Sequence, residues 1–166
     1  MKLFVVRHVK AGDRSSWRGP DNERPASEAG SRQAAAIAKR LADERISALV
    51  SSPSRRCVET LLPLGERLGL KVEEDDRLSE GSSIEQSLAV ARGAPDRAVL
   101  CSHGDVIPDL IAALVRRGME LTTVPDWRKA TLWTLDGSVK ARKESGGDRL
   151  FNTAKVEPPP TTHRKH

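Results

Sequence analysis

Three short apolar runs, residues 3–6, 46–50 and 98–101, constrain this chain most, because each is followed at once by polar residues and then by a segment of helical period. Short, largely apolar runs of this length read as strands covered on both faces, the habit of parallel sheets. Between the first two, Ala34, Ile37, Ala38 and Leu41 recur at helical spacing behind Ser27, a candidate N-cap, on a helix expected to end near Glu44. Ser51, Ser52 and Pro53 open a second helix with Arg56 in its first turn, and Cys57, Leu61 and Leu68 facing inward. Pro63 should kink or interrupt it. A short strand over residues 71–73 precedes the acidic Asp75, Asp76 and Glu80. Further helices are expected from about Ile84 and over residues 106–117, where Pro108 sits in a tolerant first turn. Alternating elements of this kind predict an α/β fold, a three-layer sandwich with a mainly parallel central sheet and helices on both faces.

At 166 residues the chain suits one domain, read here as residues 1–156. Residues 132–135, then Asp136-Gly137, then residues 139–142 read as a hairpin on the strength of the Asp-Gly turn. The Pro-rich, charged residues 157–166 read as a disordered tail. No apolar run approaches the ~18 residues of a membrane span, and charge follows the N-terminus too soon for a secretory leader, so a cytoplasmic protein is expected. Cys57 and Cys101 lack zinc or redox spacing and fit reduced, buried thiols. The net charge of +5 suits anionic partners in general, but aromatics make up only 3% of the chain and Tyr is absent. That argues against single-stranded nucleic acid, which needs stacking platforms, and no basic helix has the broad aromatic face that would dock on a membrane.

In open parallel sheets ligands bind outside the carboxyl ends of the strands. Here those ends carry Arg7 with His8, then Arg56, then Ser102, His103, Gly104 and Asp105. The fold therefore gathers two imidazoles and two guanidiniums, a set suited to phosphate. Arginine forks match its oxygens, helix N-termini add N–H donors, and a neutral imidazole can attack phosphorus. A cysteine-based phosphatase would need Cys-x5-Arg, whereas the positions six beyond Cys57 and Cys101 are Pro63 and Ile107. The loop over residues 9–26 is long and polar enough to bind a ligand.

Val6-Arg7-His8 with Lys10-Ala11, Ser52-Pro53-Ser54-Arg55-Arg56, and Ser102-His103-Gly104 resemble, in order, three motifs of the histidine phosphatase (phosphoglycerate mutase-like) superfamily. Lys10-Ala11-Gly12, Trp17 with Arg24-Pro25, the stretch 57–68, residues 106–111, and Arg128-Lys129 with Trp133 are similar to the C-terminal phosphatase domain of two-domain MutT-type Nudix hydrolases. The small size also resembles SixA-like phosphohistidine phosphatases. The resemblance implies His8 as nucleophile, Arg7, Arg56 and His103 as phosphate clamp, and Glu80 as general acid and base. Val9 stands where the family usually has Gly.

Lys10, Arg14, Trp17, Gly104 and Lys129 are candidate substrate contacts, Trp17 by stacking on a base. No metal site and no cofactor is expected. The resemblance leaves three substrates open: small phosphorylated metabolites, nucleotides, or a phosphoprotein carrying phosphohistidine. A phosphoglycerate-type mutase would need more chain to shield its intermediate. A non-catalytic phospho-ligand binder would keep the clamp without turnover.

Overall fold

The computed structural model describes residues 1–137 and 149–162. Its sheet has seven strands: β1 (Lys2–Arg7), β2 (Ala48–Ser51), β3 (Val72–Glu74), β4 (Ala98–Ser102), β5 (Glu120–Leu121), β6 (Leu132–Asp136) and β7 (Thr153–Glu157). They lie in the order β3-β2-β4-β1-β6-β7-β5. The β1–β4, β2–β4 and β2–β3 pairings are parallel, whereas β6 runs antiparallel to both β1 and β7.

The two-residue period of β1 divides the interior. Phe4 and Val6 join Leu49, Val99 and Cys101 on one face, beneath Ile37 and Leu41 of α1 (Glu28–Leu41) and Leu61 and Leu64 of α2 (Arg55–Leu68). Leu3 and Val5 point the other way, with Leu88 of α3 (Ile84–Gly93) and Ile107, Leu110 and Leu114 of α4 (Val106–Arg116). Each such side chain contributes ~1.5–3 kcal/mol by leaving water. The result is the three-layer α/β sandwich that the apolar runs predict.

Local signals explain the helix starts. The Ser27 hydroxyl accepts the Gly30 N–H, and Ser83 with Gln86 forms a reciprocal capping box at the start of α3. Pro63 does not interrupt α2, which continues to Leu68. Proline removes the single bond its N–H would have made, and the buried Leu61, Leu64 and Gly65 around it hold the helix against the sheet.

On the side away from β1, β6 pairs antiparallel with β7; the hairpin arm expected at 139–142 lies outside the described residues. Glu157, assigned by sequence to the tail, closes β7 and takes the Arg40 guanidinium through both carboxylate oxygens, at 2.8 and 2.9 Å. No described helix is long and apolar enough to cross a membrane.

Candidate active site

Register brings the site together. Arg7 pairs with Ser102 and Ser51 with Cys101, so β1, β4 and β2 end level and the next residues, His8, His103 and Ser52, stand side by side. Backbone bonds fix them there: His8 N–H donates to Ser102 O (3.1 Å) and Ser52 N–H to Cys101 O (2.9 Å). A cavity of about 460 Å³ opens above, and Arg7, His8, Arg56 and His103 all line it, with Glu80, Arg14, Gly104 and Lys129.

His8 is buried, 5% exposed, and its Nδ1 lies 2.8 Å from the Val9 carbonyl oxygen. A carbonyl only accepts, so Nδ1 carries the proton and the Nε2 lone pair remains free. Burial lowers the His8 pKa to about 3, against the Val9 bond that raises it, and the neighbouring His103, Arg56 and Arg7 lower it further. The ring is neutral at physiological pH. The His103 ring stands edge-on to it, with centroids 5.4 Å apart.

Ser52 Oγ accepts the Ser54 N–H and lies 2.8 Å from His103 Nε2, to which its one hydroxyl proton can go. His103 then carries its own proton on Nδ1, a buried atom with no partner among the described residues. The Nε atoms of Arg7 and Arg56 are orphaned in the same way. Buried donors without acceptors are costly, and three around one cavity are what an oxyanion would satisfy.

Arg56, in the first turn of α2, is 1% exposed. Its Nη1 donates to the Asp21 carbonyl oxygen (2.8 Å), while its Nη2 lies 3.2 Å from Asp21 Oδ2 and 3.6 Å from Glu80 Oε2. Arg7 Nη1 donates to the Trp127 carbonyl oxygen, and its guanidinium lies flat on Gly104, where a Cβ would come within 2.6 Å of Arg7 Cζ. Gly104 is therefore the residue that lets Arg7 into the cavity. Arg14 stands at the rim, 3.5 Å from Asp21 and 3.8 Å from Glu80. Lys129 has its pKa lowered, first by burial and then by Arg7, Arg24, Arg56 and Arg14.

Two sequence-predicted contacts are not brought in. Lys10 lines an adjoining cavity instead. Trp17 is outside the lining, because its indole N–H donates to the Pro20 carbonyl oxygen (2.9 Å) and folds the ring back on its own loop. Conversely, Arg24 lines the cavity, 5% exposed, and Asp21 binds Arg24, Arg56 and Arg14 together. Both belong to the 9–26 loop, which has no hydrophobic period to show which side chains face inward. Asp105 also lines the cavity and accepts the Gly81 N–H (2.7 Å).

Val9 directs its side chain into the core, fully buried, while its N–H donates to Thr60 Oγ1 (3.0 Å). Cys57 and Cys101 are free, buried thiols outside the lining. Among the described residues no group of three or more His, Cys, Asp or Glu is placed to hold a metal ion.

The sequence and the fold are similar to those of known proteins. The chain is 30% identical, over 80% of its length, to an 8-oxo-(d)GTP phosphatase of Mycolicibacterium smegmatis. It spans 43% of that protein, and so under half of it. Its fold is similar to that of the protein histidine phosphatase SixA complexed with tungstate (TM-score 0.70, 20% identity, 93% of this chain and 96% of that one). A putative phosphohistidine phosphatase SixA from Nakamurella multipartitia is similar too (TM-score 0.71, 22% identity, 96% of each chain). Residues 3–87, just over half the chain, match the family description that covers the Arg7-His8 and Arg56 motifs. With both motifs seated at one cavity, the chain belongs to the histidine phosphatase superfamily, branch 1.

Proposed function

We propose that this chain is a metal-independent phosphatase that carries the phosphoryl group on His8. The observation that supports it most is the state of His8: a neutral ring with Nδ1 occupied by Val9 O and Nε2 free, at a cavity lined also by Arg7, Arg56 and His103, each with a buried nitrogen that lacks a partner. The Nε2 lone pair attacks phosphorus in line with the departing oxygen, so that a P–N bond forms as the P–O bond breaks. Arg7, Arg56 and His103 bind the equatorial oxygens as their charge redistributes, and Glu80 gives its proton to the leaving oxygen. Water then attacks, Glu80 takes back the proton, and phosphate departs with the lone pair restored to His8.

The substrate is read as a small phosphorylated metabolite, nucleotides included. The nucleotide named for the M. smegmatis relative supports this, as does a cavity of about 460 Å³ with the exposed Arg14 and Glu80 at its rim. The domain is read as residues 1–156 working as one unit. Phosphate release from p-nitrophenyl phosphate in the presence of EDTA tests the reaction. Turnover by the wild type that disappears in His8→Ala is expected, and turnover retained by His8→Ala would overturn the assignment. Phosphate binding without turnover by the wild type would make the chain a phospho-ligand binder.

A further inference from the structure

A second cavity, of about 550 Å³, adjoins the first, and Arg7 and Lys129 line both. Lys10, Gln33 and Arg128 complete its protein wall, and Pro159, Pro160 and Thr162 of the C-terminal segment close the far side. Among the described residues, four cationic side chains line it and no carboxylate does. The first cavity, by contrast, balances its cations with Asp13, Glu80 and Asp105.

One of those four is neutralised, since Arg128 is held by Asp126 at 2.6 Å. Neither Lys10 nor Lys129 has a carboxylate within ion-pair reach among the described residues. Lys129 is crowded by Arg7, Arg24, Arg56 and Arg14, which together with burial disfavour its charge. An anion placed among these groups would remove that penalty.

The position of Lys10 is built, not incidental. Its N–H donates to Gln33 Oε1 (3.0 Å), and its carbonyl accepts the Ser27 N–H (2.9 Å) and hydroxyl (3.2 Å). Gly30 lets α1 approach so closely that a Cβ there would come within 1.9 Å of Lys10 O. Gln33, 4% exposed, lines the cavity and so ties the Lys10 backbone to its wall.

We infer that this annex binds a second phosphate of the substrate, beside the one transferred to His8, and so selects diphosphates and closely spaced bisphosphates over monophosphates. The inference rests on the phosphatase reading above. Arg7 sits between the two phosphates and touches both cavities. When the substrate is a phosphoanhydride, the P–O bond that breaks leaves its electron pair on that second phosphate, whose charge rises as it departs. Lys10 and Lys129 stabilise that charge, so an anhydride depends less on a proton from Glu80 than an alkyl ester does.

The test is steady-state phosphate release from ADP, a sugar bisphosphate and AMP by the wild type, Lys10→Ala and Lys10→Arg. In the wild type, kcat/KM for ADP or the bisphosphate should exceed that for AMP by about tenfold or more, the size of one charge-assisted contact. Lys10→Ala should collapse that ratio and Lys10→Arg should largely restore it. A preference for ADP alone would assign the annex to anhydrides, and one shared by the bisphosphate would assign it to a second phosphate in general. Turnover of AMP with no preference for either, or a Lys10→Ala loss equal for all three substrates, would overturn the annex and leave the phosphatase reading standing. Turnover of none of them would overturn the annex, and absence of p-nitrophenyl phosphate turnover as well would overturn both.

Discussion

The floor and the rim of the cavity are built differently. His8, His103 and Arg56 form the floor, each at most 5% exposed, on residues that directly follow a strand or open a helix. Arg14 and Glu80 form the rim, with side chains 67% and 53% exposed on loops, joined by an ion pair of 3.8 Å. A charge on the floor is held by several bonds and feels little water, so its interactions are strong and its geometry is fixed. A charge at the rim is solvated, and pairs of that kind contribute ~0–1 kcal/mol. The floor is thus suited to hold the phosphoryl group, and the rim to act when substrate closes over it.

The comparison predicts a gradient of mutational effects. His8→Ala should lower kcat by ~10⁴-fold or more in a phosphate-release assay, because it removes the lining imidazole whose Nε2 lone pair is free, whereas His103 Nε2 is engaged by Ser52. Arg56→Lys keeps the charge but loses the fork that spans Asp21 and the cavity, and should cost ~10²–10³-fold in kcat/KM. An equal loss for Arg14→Lys would erase the distinction between floor and rim.

Glu80→Gln should lower kcat by ~10²-fold on an alkyl phosphate, with little effect on circular dichroism or melting temperature. If its kcat matches the wild type on every substrate, the proton comes from elsewhere, and Asp105, which lines the same cavity, is the next carboxylate to replace.

Acid stability sharpens the floor further. Folded His8 takes a proton only near pH 3, whereas in the unfolded chain it does so near the ordinary imidazole value of 6.5. Between these two values the unfolded state binds more protons, so His8 costs stability progressively as pH falls from about 6.5 towards 3. Urea midpoints of the wild type should therefore fall more steeply over that window than those of His8→Asn. Parallel slopes would mean that the ring is not held neutral. The smallest effect is expected at Trp17, whose indole is occupied by Pro20. Trp17→Ala should change KM by about twofold or less, as surface substitutions generally do, and a larger rise with a nucleotide would return Trp17 to the binding site.

The same division marks what was legible in the sequence. Apolar runs and their tips located β1, β2 and β4, and with them His8, His103 and Arg56, because strand period and register leave those residues one place to go. Gly104 was legible as part of a motif, but its role as the bed for the Arg7 guanidinium comes from packing. In the 9–26 loop the order of residues says nothing about direction. Trp17, the most conspicuous side chain there, turns away from the cavity, whereas Arg24 and Asp21 turn inward and tie Arg56 in place. The antiparallel pairing of β6 with β7 spans a long sequence separation that no local turn signal encodes.

The most direct measurement is rapid quench of the wild type with a phosphate-labelled substrate, followed by peptide mapping under alkaline conditions that preserve P–N bonds. Label on His8, formed and lost at rates consistent with turnover, is the predicted result. Label on another residue, or turnover with no covalent phosphate at any time, would contradict the account.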